Sequence, residues 1–297
     1  MRMLLYPLPT TSRDHLHTSL VDLTNRVSNL RSSHGQARDR LTDYIEWAST
    51  AGTMLRTQIS PPEVDRLVWT PRYQFLASKV GMLYPDLENS GLHHVLNAEL
   101  ADRFDDFTAA HQALARRIKT WSRPGTFVAF DTNVYIEGDK LEELDVHGLL
   151  GLTSPDGPVT LLVPMTVVDE LDNLKKSRDA HTRWRALYTT AVLHRVLKAD
   201  PAKPAPLHPD TLSVMVELLP DPPGHTRLQI ADDEIIDRVA KAQVLAGRTI
   251  TLVTYDTGQA LRAGIAGLEA NRLPNAGEDD PEPPPRPAKA KAQSGRN

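Results

Sequence analysis

The stretch Thr126-Phe-Val-Ala-Phe-Asp-Thr-Asn-Val134 and its echo Thr251-Leu-Val-Thr-Tyr-Asp-Thr-Gly258 decide the fold. Each is a short apolar run that stops on an aspartate. An uninterrupted apolar run of this length suits a strand buried on both faces, as in a parallel sheet. Two further runs have the same texture, 159 to 164 (VTLLVP) and 212 to 219 (LSVMVELL). Helical patterning separates them, over 165 to 177, 182 to 199, 232 to 246 and 258 to 265. Alternation of this kind predicts an α/β fold, a parallel sheet covered by helices. The Pro-rich segments 201 to 209 and 220 to 224 read as loops.

Upstream the pattern is all helical. Leu16, Leu20, Leu23, Val27 and Leu30 recur at 4-3 spacing. After Gly35, Ala37, Leu41, Tyr44, Ala48, Ala51 and Leu55 form a second series. This reads as an antiparallel helical hairpin. Ser60-Pro61-Pro62-Glu63 reads as a cap with proline in the next first turn. A third amphipathic stretch covers 87 to 121. The expected division is a helical module at 1–122, an α/β domain at 126–272 and a disordered Pro/Ala/Lys/Glu tail at 275–297.

The chain of 297 residues contains no cysteine, which excludes disulfides, zinc ribbons, cysteine nucleophiles and iron–sulfur clusters. Neither a signal segment nor a membrane span is readable, so the expectation is a soluble, cytoplasmic protein. A net charge of -4 argues against a generic nucleic-acid coat but leaves room for a local basic patch. A Gly-rich phosphate loop and a nucleophile elbow are both missing. His15, His17, His93 and His94 lack metal-ligand spacing with carboxylates.

The chemistry is carried by acids. In open α/β sheets the ligand crevice lies beyond the carboxyl ends of the strands. Asp131 and Asp256 both end strands and so project at the same edge. For a single aspartate the plainer reading is a turn or helix cap; two strands ending alike are harder to dismiss that way. At about 100° per residue, Glu170 lies on the flank of the stripe Val167, Leu171 and Leu174, while Asp169 and Asp172 turn toward solvent. Asp232 falls on the inner face of the helix at 232 to 246, as a carboxylate or as a plain cap, with Asp233 as a further ligand. Clustered carboxylates destabilise one another unless a cation sits among them. Ligands that are all oxygen favour Mg²⁺ or Mn²⁺, ions suited to phosphodiester hydrolysis. Asn133, Thr254 and Thr257 are placed either to hold ligands and water or to serve as ordinary turn residues. Lys175, Lys176, Arg178, Arg183 and Arg185 follow Glu170, as a path for a phosphate backbone or as a solvated helix face. Trp184 reads as half-buried packing rather than a base platform.

Taken in order, Phe130-Asp-Thr-Asn-Val134, Pro164-x-x-Val-x-x-Glu-Leu-x-x-Leu174, Asp232-Asp-Glu-Ile-Ile236 and Val253-Thr-Tyr-Asp256 resemble the PIN-domain nucleases over about 127 to 270. The last pair is most similar to the larger PIN proteins, although Ala231 stands where Asn is common there. The resemblance implies a central parallel sheet with helices on both sides. It also implies metal-dependent endonucleolytic cleavage, most often of single-stranded RNA, with Asp131, Glu170, Asp232 and Asp256 as the acidic site. A non-catalytic RNA- or protein-binding module is the alternative, and a toxin of a toxin–antitoxin pair is a further one that the long N-terminal addition disfavours. The N-terminal helices are expected to bind a protein partner, to self-associate or simply to fold as a bundle.

Overall fold

The computed structural model describes residues 5, 7–9, 11–34, 36–80, 91–152, 157–221, 225–275 and 278. Five helices come first: α1 (Arg13–Ser32), α2 (Ala37–Leu55), α3 (Pro61–Leu67), α4 (Pro71–Ala77) and α5 (Leu92–Trp121). The α/β part then runs β1 (Thr126–Phe130), α6 (Thr132–Glu137), α7 (Val146–Leu149), β2 (Val159–Pro164), α8 (Met165–Leu174) and α9 (Ala180–Leu197). It continues through β3 (Ala205–His208), β4 (Thr211–Leu219), α10 (Ala231–Ala246), β5 (Ile250–Thr254), α11 (Thr257–Ile265) and β6 (Glu269–Arg272). The expected disordered tail lies outside the described residues apart from 275 and 278.

The N-terminal helices form where caps and apolar spacing coincide. Ser60 and Glu63 make a reciprocal capping box, with Pro61 opening the helix. Thr70 caps α4 by accepting from the Tyr73 amide at 2.9 Å. The Leu16, Leu20, Leu23 and Val27 stripe is buried. Although α1 and α2 touch, α1 packs most extensively on α5, so the series read as a two-helix hairpin is part of a larger bundle. Inside it Glu99, 1% exposed, accepts from Tyr44 Oη at 2.8 Å and Thr70 Oγ1 at 2.7 Å, with Arg103 Nε at 3.1 Å. Burial holds the Tyr44 phenol well above its usual range, and the Glu99 charge adds to the shift.

Among the described residues the sheet has the order β3-β4-β2-β1-β5-β6. The β4, β2, β1, β5 and β6 strands pair in parallel, and β3 runs antiparallel to β4 at one edge. Every residue of β2 and β5 is buried, as unbroken apolar runs require. Two strands escaped the sequence reading. β3 lies inside the segment taken as a Pro-rich loop, and an edge strand tolerates Pro206 because it needs hydrogen bonds on one side only. The other, β6 (Glu-Ala-Asn-Arg), has no apolar pattern to announce it.

The chain steps from β1 to β2 and β4 on one side, then crosses back to β5 on the other. This reversal puts a topological switch point at β1, beside β5. The helical region is joined to the sheet through buried contacts. Trp121 meets Phe127 at 5.4 Å between ring centroids, and Arg123 lies over the Phe127 ring while ion-pairing with Glu217. Arg13 donates from Nη1 to the Leu245 carbonyl at the end of α10. One buried apolar cluster runs from Leu5 to Leu268 through both parts. No helix of the described residues is long and apolar enough to cross a membrane.

Candidate active site

Beyond Phe130 and Val253, paired in register, the two central strands end side by side. Asp131 follows β1, and its backbone amide extends the ladder by donating to the Val253 carbonyl at 2.9 Å. Its carboxylate is buried, 5% exposed, and is held from two sides. Gln259 Nε2 donates to Oδ1 at 3.2 Å and Thr254 Oγ1 to Oδ2 at 3.3 Å. Burial raises the Asp131 pKa above the ordinary carboxylate range, more than the Gln259 hydrogen bond lowers it; the Asp232 charge adds to the rise.

Glu170 lies in the second turn of α8, which begins directly after β2, and it is half-buried. Oε2 accepts from Thr132 Oγ1 at 2.5 Å, so the residue after Asp131 ties α8 to α6. Its pKa is raised too, by burial first, against the Thr132 hydrogen bond and with the Asp131 and Asp232 charges adding to it. The two neighbouring aspartates point elsewhere: Asp169 pairs with Arg227 at 2.6 Å and Asp172 with Lys175 at 2.6 Å.

Asp232 and Asp233 occupy the first turn of α10, whose cap residue is Ile230. Both face Arg262 of α11: Nη2 lies 2.7 Å from Asp232 Oδ2, and Nε 2.9 Å from Asp233 Oδ1. Asp256 caps α11, its Oδ1 accepting from the Gln259 amide at 2.6 Å. The cap reading thus holds for Asp256 and does not use its second oxygen for that bond. The supporting residues divide. Thr254, fully buried, accepts from the Asp256 amide at 3.0 Å while donating to Asp131. Asn133 Oδ1 accepts from the Tyr255 amide at 3.3 Å, and its Nδ2 reaches Thr254 Oγ1 at 3.4 Å. Thr257 is exposed and accepts from Arg272 Nε at 2.8 Å.

Three residues around this edge went unread in the sequence. Thr132 and Gln259 hold the carboxylates, and Arg262 faces them. The signal for Gln259 was present: an aspartate followed three residues on by a glutamine is capping-box spacing. Gln259 is wholly buried and its Oε1 meets no hydrogen-bond partner among the described residues, an orphaned acceptor beside Asp131. Buried carboxylates with raised pKa, an orphaned amide oxygen and all-oxygen donors fit a hard divalent cation.

The basic run after Glu170 is not one surface. Arg185 is a correction: it is 4% exposed, with Nε and Nη2 donating to the Tyr135 carbonyl at 3.1 and 2.8 Å and Nη2 to the Gly138 carbonyl at 2.8 Å. A side chain so committed anchors the end of α6 and cannot meet a phosphate. Lys175 is bound to Asp172. Lys176, Arg178 and Arg183 are exposed, and among the described residues none has a carboxylate partner. Trp184 is 48% exposed and stacks on Tyr188 at 5.4 Å.

A second cluster of metal-type ligands, His225, Glu234 and Asp237, has donor atoms within 4.8 Å of one another. Its negative charge is already met. Glu234 accepts from His225 Nε2 at 2.7 Å and the Leu228 amide at 2.9 Å; Arg238 and Lys241 pair with Asp237 at 2.8 and 2.7 Å. This cluster clasps the segment before α10.

The family model described as PIN domain matches residues 128–273, the span from β1 to β6. PIN domains are generally nucleases, hydrolases of phosphodiester bonds. No curated protein matches the chain.

Proposed function

We propose that this chain, whose residues 128–273 belong to the PIN domain family, is a divalent-metal-dependent endoribonuclease acting on single-stranded RNA. The observation that carries the reading is the convergence of Asp131, Glu170 and Asp232 at the edge where β1, β2 and β5 end, with the first two buried enough to titrate high. Asp131, Glu170 and Asp232 repel one another at this edge, and a cation among them would offset that repulsion.

Asp131, Glu170, Asp232 and Asp256 would hold Mg²⁺ or Mn²⁺, with Asp233 as an added ligand. The ion supplies activation of water and stabilisation of the leaving oxygen. The chain's own residues supply orientation. Gln259 and Thr254 fix both oxygens of Asp131, and Thr132 fixes one oxygen of Glu170, so these ligands are pre-set. Asn133 supports the arrangement by joining α6 to the end of β5. Lys176 and Arg178 offer the backbone phosphates charge beside α8, Arg183 adds the charge of a guanidinium whose Nη1 donates to the Ser177 carbonyl at 2.7 Å, and Lys175 joins if it leaves Asp172.

The test is cleavage of an end-labelled, mixed-sequence single-stranded RNA by pure protein with Mn²⁺, Mg²⁺ or EDTA, beside Asp131→Asn. Metal-dependent internal cuts lost in the variant are expected. RNA binding without cleavage by the wild type would make the domain a binding module instead.

A further inference from the structure

Arg262 takes no part in the function proposed above, yet it pairs with two acids of the edge. Its guanidinium spans the first turn of α10, with Nη2 at 2.7 Å from Asp232 and Nε at 2.9 Å from Asp233. Among the described residues it has no ion pair elsewhere. The third nitrogen faces a gap kept open by a glycine: a Cβ on Gly258 would stand 3.3 Å from Arg262 Nη1 and 3.1 Å from Asp256 Oδ1. Asp256 thus borders the same space. The Arg262 side chain is 42% exposed, so it has a route into solvent.

We propose that Arg262 is the resident counter-cation of the acidic edge, competing with the divalent ion for Asp232 and Asp233 and so setting the metal concentration at which the site loads. The inference rests on the reading of those aspartates as metal ligands. Asp232 Oδ2, hydrogen-bonded to Nη2, and Asp233 Oδ1, ion-paired with Nε, cannot also face a small, strongly charged ion at full strength. Arginine does not lose its proton in the working pH range, so it must yield by moving rather than by titrating. Holding the aspartates this way lets the protein fold with its ligands assembled before an ion arrives, at the cost of weaker ion binding.

EDTA-stripped wild type, Arg262→Gln and Arg262→Lys are titrated with Mn²⁺, with free ion read by electron paramagnetic resonance. Arg262→Gln should bind Mn²⁺ about fivefold more tightly, the scale of one partly exposed ion pair. Arg262→Lys should stay near wild type. Equal or weaker binding by Arg262→Gln would overturn the proposal, as would failure of every form to bind Mn²⁺. Should Arg262→Gln not fold, wild type labelled at arginine Cζ with ¹³C decides: the Arg262 resonance, assigned through Arg262→Lys, should move as Mg²⁺ saturates the protein. An unmoved resonance at saturation, established by calorimetry, would also overturn it. Tight Mn²⁺ binding governed by Arg262 without RNA cleavage would remove the nuclease reading and leave this one standing.

Discussion

Replacing Arg185 with methionine separates a structural arginine from a ligand-binding one. In the fold its guanidinium makes two contacts to the Tyr135 carbonyl and one to Gly138, and a further one to Asp139. Two of the contacts share an acceptor and three share Nη2, so the set is worth fewer than four independent bonds. Hydrogen bonds from a charged donor contribute about 1.5–3 kcal/mol each. Two bonds' worth gives a loss of about 3–6 kcal/mol on that scale. Methionine fills much of the volume, so a cavity adds little. For a chain of this size each kcal/mol moves the melting temperature by about 2–4 °C, giving a drop on the order of 10 °C. The assay is thermal melting followed by circular dichroism, paired with RNA affinity by fluorescence anisotropy well below the transition. A lowered melting temperature with RNA affinity within twofold of wild type is expected. A melting temperature within about 1 °C of wild type, with affinity reduced tenfold, would refute the argument and return Arg185 to the RNA-binding surface.

The double variant Lys176→Glu, Arg178→Glu should do the reverse, weakening RNA binding and flattening its salt dependence while leaving the melting temperature unchanged; a parallel fall in stability would count against a free basic surface. Asp131 and Glu170 have folded-state pKa values raised above their unfolded ones, so their contribution to the metal-free protein is fullest below about pH 4 and falls as pH rises through the raised values. EDTA-treated Asp131→Asn should therefore gain on wild type in melting temperature between acid and neutral pH, and a constant difference across that range would contradict the burial argument. Glu99→Ala leaves Arg103, whose side chain is 6% exposed, without its buried carboxylate partner and should cost about 3–5 kcal/mol in urea unfolding. A loss under 1 kcal/mol would mean Asp106 alone satisfies that arginine.

What the sequence disclosed follows from where periodicity is strong. Three of the runs, β1, β2 and β5, are central strands because strands covered on both faces are largely apolar, and that pattern is visible without context; β4, beside them, is apolar mainly in its buried second half. Angular placement separated Glu170 from Asp169 and Asp172 because one face of α8 is clearly apolar. The edges were silent for the opposite reason: β3 carries Pro206 and β6 is polar, since an edge needs neither a full ladder nor two apolar faces. Arg185 was misread through composition. It lies four residues before Thr189 on the stripe that also holds Val192 and Val196, so the helical arithmetic used for α8 and α10 would have turned it inward. Arg262 had no such signal, because its partners lie thirty residues away on another helix.

The placement of β1 between β2 and β5 has a consequence for biosynthesis. Asp131 leaves the ribosome early, but Thr254, which holds one of its oxygens, is 123 residues behind it. Until β5 slots in beside β1, a nascent chain holds Asp131 without Thr254 and Gln259, which fix it, while Glu170 already has Thr132, and the crossover back past β1 is a slow, non-local step. A partly made or prematurely terminated chain therefore lacks both side chains that hold Asp131, and the acidic edge closes only after most of the message has been read through.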